Sequence, residues 1–133
     1  MKTAELSHDI LAMLLHRTIP AWQTAREFWL SLHDGPPVDQ KNREVTYPGY
    51  TRLKTVRNKT DWNHNGETFS NRRDMDFALC TGDQQFTITH IGLGTAQSGS
   101  GSLLRIIQLD TPLIIGRNTI PRLAAGQIVL AEE

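Results

Sequence analysis

The sequence predicts a mainly β protein, an antiparallel β-sandwich of a jelly-roll-like kind, preceded by a short N-terminal α-helix. The clearest signal lies in residues 86–130, where three or four short apolar runs are separated by Gly, Ser, Asp and Pro. That spacing is typical of an antiparallel meander. Residues 25–33 and 73–80 alternate apolar and polar side chains, as half-buried strands do. About seven short strands with regular turn signals favour a sandwich or a jelly-roll-like barrel.

Length and charge limit the class of protein. The chain has 133 residues, which suits one domain with a core of its own. Lys and Arg number 14, as do Asp and Glu, so neither nucleic acid nor an anionic membrane is an expected partner. The longest apolar runs are far shorter than the roughly 18 residues of a membrane-spanning helix. Glu5, His8 and Asp9 interrupt any signal-peptide core, which predicts synthesis in the cytoplasm.

An amphipathic helix is predicted over residues 7–17. Ser7 can cap its start, and Pro20 prevents much continuation. A helix this short is marginal on its own and must dock on another surface. We therefore divide the chain into an N-terminal helical arm, residues 1–19, and a single β-sandwich domain, residues 20–133. The apolar face of the arm, which we expect to lie in a protein interface, consists of Ile10, Leu11, Leu14 and Leu15.

The first two predicted strands add further interface candidates. In residues 25–33, Trp29 lies opposite the apolar face, so an aromatic ring faces outward or into a second layer. After a polar loop, a second strand is predicted over residues 50–57, where Arg52 and Lys54 share one face. We expect Trp29 to lie in an interface and the two basic side chains to form salt bridges with a neighbouring subunit.

The polar segment over residues 57–72 is predicted to be a loop. Asn, Asp and Gly dominate it, and Trp62 and Phe69 are candidate anchors. Two interpretations of Trp62 stay open. Either it pins a long loop to the core, or its ring is the stacking platform of a glycan site in which amides bind hydroxyl groups. The candidate glycan residues are Trp62, Asn63, His64 and Asn65.

The remaining strands follow in regular order. An alternating strand over residues 73–80 ends at Cys80, for which we expect a buried thiol. After the strand that begins at Phe86, a flexible tip is predicted over residues 97–101. The rest of the meander is predicted as strands over residues 103–109, 113–115, 120–123 and 127–130, with turns at 110–112 and 116–118.

No motif in the chain indicates a known chemistry. The five histidines lack the spacing of a metal site, and one cysteine permits neither an intrachain disulfide nor a multi-cysteine zinc site. Asp74 and Asp76 share one strand face, where a solvated surface is favoured over paired acid–base carboxylates. We therefore predict no enzymatic activity, no metal and no cofactor. An enzyme would require two of five side chains to converge in one pocket: His33, His64, His90, Asp74 and Asp76.

Three segments carry a family resemblance. Residues 28–36 read FWLSLHDGP, residues 44–52 read EVTYPGYTR, and residues 86–93 read FTITHIGL. The meander that follows continues the same family pattern to its end. In this order and spacing the chain resembles a family of small virion proteins of tailed bacteriophages, often described as tail fibre proteins. The resemblance spans residues 7–130.

The resemblance implies a structural component of a tailed-phage particle, with other virion proteins as partners and no enzymatic activity. The chain shows no repeats, coiled-coil heptads or collagen-like tract of the kind a long fibre needs. We therefore interpret it first as a capsid decoration or cement subunit, a homo-oligomer such as a trimer that contacts the major capsid protein. The alternatives are a tail, tail-fibre or baseplate component that contacts tail proteins, or a host-glycan-binding module on the virion.

Overall fold

A computed structural model describes residues 1–131, so the last two residues of the predicted sandwich domain lie outside the described part. Helix α1 spans Ala4–His16, and a short 3₁₀ helix spans Ala21–Thr24. Nine strands follow within the described residues: β1 Glu27–His33, β2 Leu53–Val56, β3 Trp62–Asn65, β4 Thr68–Asn71, β5 Met75–Asp76, β6 Phe86–Gly94, β7 Leu103–Ile115, β8 Arg122–Leu123 and β9 Val129–Ala131.

The strands form three antiparallel sheets. The large sheet has the order β2-β1-β6-β7, the hairpin sheet has the order β3-β4-β9, and β5 pairs with β8. The predicted fold class, mainly β with antiparallel sheets and one N-terminal helix, is confirmed. Residues 1–131 form open sheets and no closed barrel. Within the same residues, no helix is long and apolar enough to cross a membrane.

One hydrophobic cluster joins the three sheets. Leu30 and Leu32 on β1 are fully buried and lie opposite Leu93 and Ile91 on β6. The cluster also includes buried residues of β5, β8 and the segment before β9: Met75, Leu123 and Ile128. Cys80 belongs to the same cluster and is fully buried, as expected. Burial of these side chains is the main source of stability for the sandwich.

The central strand β1 is buried on both faces. On the face away from the hydrophobic cluster, Ser31 and His33 are also fully buried. The chain after β1 covers this face, because the carbonyl oxygen of Asn42 lies 2.9 Å from Nδ1 of His33 and Gln40 is completely enclosed. The polar loop predicted after β1 is therefore a packed layer of the structure.

Strand β7 corrects the prediction of a turn at residues 110–112. A single strand, Leu103–Ile115, replaces the two predicted strands. Its register against β6 shifts, since Ile88 pairs with Leu113 whereas His90 pairs with Gln108. Residues 109–112 therefore form a bulge, which accommodates Pro112 because a bulged residue need not donate a ladder hydrogen bond.

The segment over residues 57–72 was predicted as a loop and instead contains a hairpin. Asn65 on β3 pairs with Thr68 on β4, which leaves a two-residue connection. Gly66 adopts a φ of 65° there, a conformation that glycine reaches at little cost. Glycine at the first position of a two-residue connection is a known hairpin signal, so the sequence did contain the information.

Helix α1 begins three residues earlier than predicted. Its N-cap is Thr3 and not Ser7, because the Thr3 hydroxyl accepts a hydrogen bond from the Leu6 N–H at 3.2 Å.

Three of the alternating segments form strands that are shorter than predicted. The strands expected at 50–57, 73–80 and 120–123 are reduced to β2, β5 and β8.

Candidate functional site

The N-terminal helix presents apolar side chains to solvent. Within α1, Leu6 is the buried residue, and Ile10 is half-buried. The other three residues of the predicted apolar face, Leu11, Leu14 and Leu15, have exposed fractions of 54%, 73% and 70%. Burial of one such side chain is favourable by about 1.5–3 kcal/mol, so a partner that covered this surface would bind favourably. We call the three exposed leucines the helix face.

The start of α1 is anchored on the outer edge of β7. The Thr3 N–H donates to the Leu104 carbonyl at 3.0 Å, and the Ile106 N–H donates to the Met1 carbonyl at 2.9 Å. The Thr3 side chain also donates to the Leu103 carbonyl at 2.7 Å. The helix is therefore fixed at its N-terminal end, and the helix face lies at the opposite end.

The other three interface candidates lie in different environments. Trp29 is half-buried on β1, paired with Lys54 on β2. Lys54 is exposed, and its Nζ atom lies 3.9 Å from Oε2 of Glu27. Arg52, by contrast, has a side chain only 3% exposed and pairs with Glu44 of its own chain. The salt bridge expected between Arg52 and a neighbouring subunit is thus an intrachain bond, because the chain encloses both partners.

Arg52 and Glu44 form a buried polar cluster with Tyr50. The Arg52 guanidinium donates from Nε and Nη2 to both carboxylate oxygens of Glu44, at 2.8 and 2.9 Å. The Tyr50 hydroxyl donates to the same carboxylate. Burial raises the pKa of Tyr50, and the hydrogen bond to Glu44 raises the pKa of Arg52, so the phenol stays neutral and the guanidinium charged.

The four candidate glycan residues lie together on β3 but not on one face. Side chains alternate along a strand, so Trp62 and His64 point to one side and Asn63 and Asn65 to the other. The Trp62 ring packs against the hydrophobic cluster, as the anchor interpretation predicts. The His64 ring stacks on Phe69 of β4 with centroids 4.9 Å apart. The predicted single platform of ring and amides is therefore divided between two surfaces.

An apolar cleft opens where the large sheet meets the hairpin sheet. It has a volume of about 400 Å³. Arg57, Asn58 and Lys59 line it, and because all three are exposed we call them its rim. Its apolar lining consists of Phe28 and Leu93 from the large sheet and Trp62, Phe69 and Leu130 from the hairpin sheet. We call it the end cleft; sequence reasoning missed it, because segments far apart in the chain form it.

Two pairs among the five titratable side chains proposed as an enzyme's requirement are neighbours. His33 and His90 lie opposite each other on β1 and β6, and Asp74 and Asp76 both contact the Arg122 guanidinium, at 3.8 and 2.6 Å. Ser31 Oγ lies 2.7 Å from Nε2 of His33, but both residues are fully buried. Burial lowers the pKa of His33, which keeps its ring neutral. Asp76 accepts two hydrogen bonds from Arg122, and these lower the pKa of its carboxyl. No group of three or more His, Cys, Asp or Glu side chains in residues 1–131 is arranged to hold a metal ion.

Gln40 is a structural residue that sequence reasoning missed. Its Nε2 donates to the Ala96 carbonyl at 3.1 Å, and its Oε1 accepts from the Ala96 N–H at 3.0 Å. Its backbone N–H donates to the Ser100 carbonyl at 3.1 Å. These bonds hold the segment after β6, predicted as a flexible tip, against the body of the protein. A lone polar residue in a polar loop gave no signal of this role.

The chain matches one family model, described as Podophage GP4 fiber I protein gp80, over residues 2–131. No curated protein sequence matches the chain significantly. The match spans nearly the whole chain, from the anchor of α1 to the end of β9, and so includes both the helix face and the end cleft.

Proposed function

Because the chain belongs to the podophage GP4 fiber I protein gp80 family, we propose that it joins a phage tail fibre to its neighbours through the helix face. Membership makes the protein a structural fibre component of the virion, in contact with other virion proteins, and not an enzyme. The family is described as a fibre protein, which favours the alternative interpretation of the chain as a tail or tail-fibre component. It disfavours the first interpretation, a capsid decoration subunit.

The observation that supports attachment through α1 is its unusual exposure. Leu14 and Leu15 are more than two-thirds exposed on a helix that is anchored at its other end. We propose that residues 1–19 act as an attachment arm for a sandwich domain that begins at residue 20. Trp29 and Lys54, half-buried and exposed respectively, form a second proposed contact region on the large sheet.

The position in the particle can be tested by immunogold labelling of intact virions. We expect label on tail fibres. Label on the capsid surface would instead support a decoration subunit, and absence of the chain from purified particles would refute a virion role altogether.

Native mass spectrometry of the isolated protein tests the proposed homo-oligomer, for which a trimer is the expected assembly.

Replacing Leu14 with glutamate should reduce incorporation of the protein into virions. A partner that covers the helix face would have to bury an unpaired carboxylate and lose the leucine, so we expect about a tenfold or greater loss of incorporated copies. The side chain is 73% exposed, so the fold should remain intact. Quantitative immunoblotting of purified particles provides the measurement.

The matched control for this substitution is Val38→Glu. Val38 is 82% exposed and lies in the loop after β1, outside α1. The Val38→Glu substitution introduces the same charge at an exposed aliphatic position, so normal incorporation of this variant into virions is expected. Equal incorporation of both variants and the unchanged protein would contradict attachment through the helix face.

A host-glycan contact at the tip of the β3–β4 hairpin is a second candidate function. The observation that favours it is the exposed stack of His64 on Phe69, a polar aromatic surface on which a sugar ring could lie. Exposed Asn63 and Asn65 would have to contact the same glycan from the other side of the strand. A glycan array that shows no binding would dispose of this candidate.

A further inference from the structure

The end cleft is an unfilled end of the sandwich core. Two sheets that pack face to face normally fill the space between them with interdigitated side chains. Here Phe28 on one side and Trp62 and Phe69 on the other leave an opening of about 400 Å³. Phe69 remains 49% exposed although it points toward this opening. An apolar group placed there would complete the core.

The rim of the end cleft is positively charged. Arg57 and Lys59 stand beside it, and no described lining residue carries a carboxylate. Within residues 1–131, neither cation forms an ion pair with an acidic side chain. An acidic group that approached the rim would therefore meet two cations that no acidic side chain of the described residues pairs with.

Arg57 is held in place at the rim. Its Nη1 atom donates to the carbonyls of Trp22, Gln23 and Ala25, at 2.8, 3.1 and 2.6 Å. Its guanidinium lies 4.6 Å above the Phe28 ring. The charge is thus fixed before any ligand arrives, which lowers the entropy lost on binding. Lys59, which is exposed, supplies a second cation.

We propose that the end cleft receives an aromatic side chain flanked by acidic residues, presented by a segment of another virion protein. The proposal rests on the proposed function, since it assumes that the partner belongs to the particle. An aromatic anchor in a desolvated pocket is a common centre of binding energy in protein interfaces. The cationic rim selects the acidic flanks and disfavours basic ones.

The lining favours a peptide over a sugar. A glycan site needs several polar groups that both donate and accept hydrogen bonds to hydroxyls. The interior of the end cleft instead presents three aromatic rings and two leucines, and its polar groups stand at the rim. An apolar side chain matches that interior, whereas a hydroxylated ring would lose hydrogen bonds on entry.

To test the proposal, the protein is titrated with a pentapeptide that carries tryptophan between two glutamates. Backbone amide NMR spectra of the protein monitor the binding. We expect saturable shifts at residues around Phe28, Trp62 and Leu130. Replacing the glutamates with lysines should weaken binding about fivefold or more, as expected for the loss of close charge pairs. Replacing the tryptophan with alanine should abolish the saturable shifts. Glucuronate serves as the sugar probe.

Two protein variants complete the test. Lys59→Glu reverses a rim charge at an exposed position and should weaken binding about fivefold. Lys41→Glu makes the same change at an exposed lysine outside the end cleft and should leave binding unchanged. Any of four results would overturn the proposal. The acidic and basic peptides bind with equal affinity, the shifts lie away from the end cleft, no shift saturates, or glucuronate binds more tightly than the acidic peptide. The titration uses isolated protein, so the outcome of particle labelling does not affect it.

Discussion

Replacing Arg52 with methionine is expected to lower the free energy of unfolding by about 3–5 kcal/mol, the cost of removing one partner of a buried ion pair. The Arg52 side chain is 3% exposed and that of Glu44 is 8% exposed. Methionine fills much of the space but cannot donate hydrogen bonds. The Glu44 carboxylate would then keep the Tyr50 hydroxyl as its remaining described partner and stay buried with an uncompensated charge.

The same substitution should loosen the segment that follows β6. Arg52 donates from Nη1 to the Ala96 carbonyl at 3.0 Å and from Nη2 to the Gly99 carbonyl at 2.6 Å. Without these bonds, amide hydrogens around residues 96–99 should exchange faster than in the unchanged protein. Urea denaturation measures the global effect, and hydrogen exchange locates the local one.

Lys54→Met is the matched control for Arg52→Met. Lys54 lies two residues further along the chain, and its Nζ atom is 3.9 Å from Glu27, with side chains 54% and 42% exposed. An exposed pair of this kind contributes about 0–1 kcal/mol. The double variant Arg52→Met, Glu44→Leu should recover most of the lost stability, because no buried charge remains. Equal stability of the two methionine variants would contradict the buried-pair argument.

The two basic residues illustrate what the sequence could and could not predict. Their alternation suggested a shared outward face, yet one is enclosed and the other exposed. Alternation is a local property, so it predicted β1 and β6 well. Enclosure of Arg52 depends on Glu44 and on the segment after β6, which reach it from elsewhere in the chain. Such long-range contacts leave no periodic signal.

The same distinction explains the other differences. The β3–β4 hairpin had a local signal in Gly66, the first residue of its two-residue connection, and was predictable in principle. The bulge in β7 was not, because residues 110–112 have the composition of a turn and only pairing with β6 keeps them in the strand. For the candidate site, the apolar face of α1 was predictable from helical spacing. The end cleft was not, since its walls come from strands far apart in sequence.

Gly94→Ala is expected to destabilise the protein by about 2–4 kcal/mol, from overpacking together with disturbed buried hydrogen bonds. A Cβ atom on Gly94 would lie 2.1 Å from Cδ of Gln40 and 2.4 Å from its Nε2. Gln40 cannot move aside freely, because it is fully buried and bonded twice to Ala96. The added methyl group therefore has to displace Gln40, Ala96 or the strand itself.

Two comparisons separate this close approach from a general effect of removing glycine. Gly116→Ala places its Cβ where no other atom lies within 4 Å, so its stability should change by less than about 1 kcal/mol. Gln40→Ala removes the atoms that a Cβ on Gly94 would meet. The double variant Gly94→Ala, Gln40→Ala should thus lose less stability than the sum of the two single losses, as a denaturation cycle measures. Additive losses would show that the cost at Gly94 arises from the backbone of β6, and not from the glutamine that closes over it.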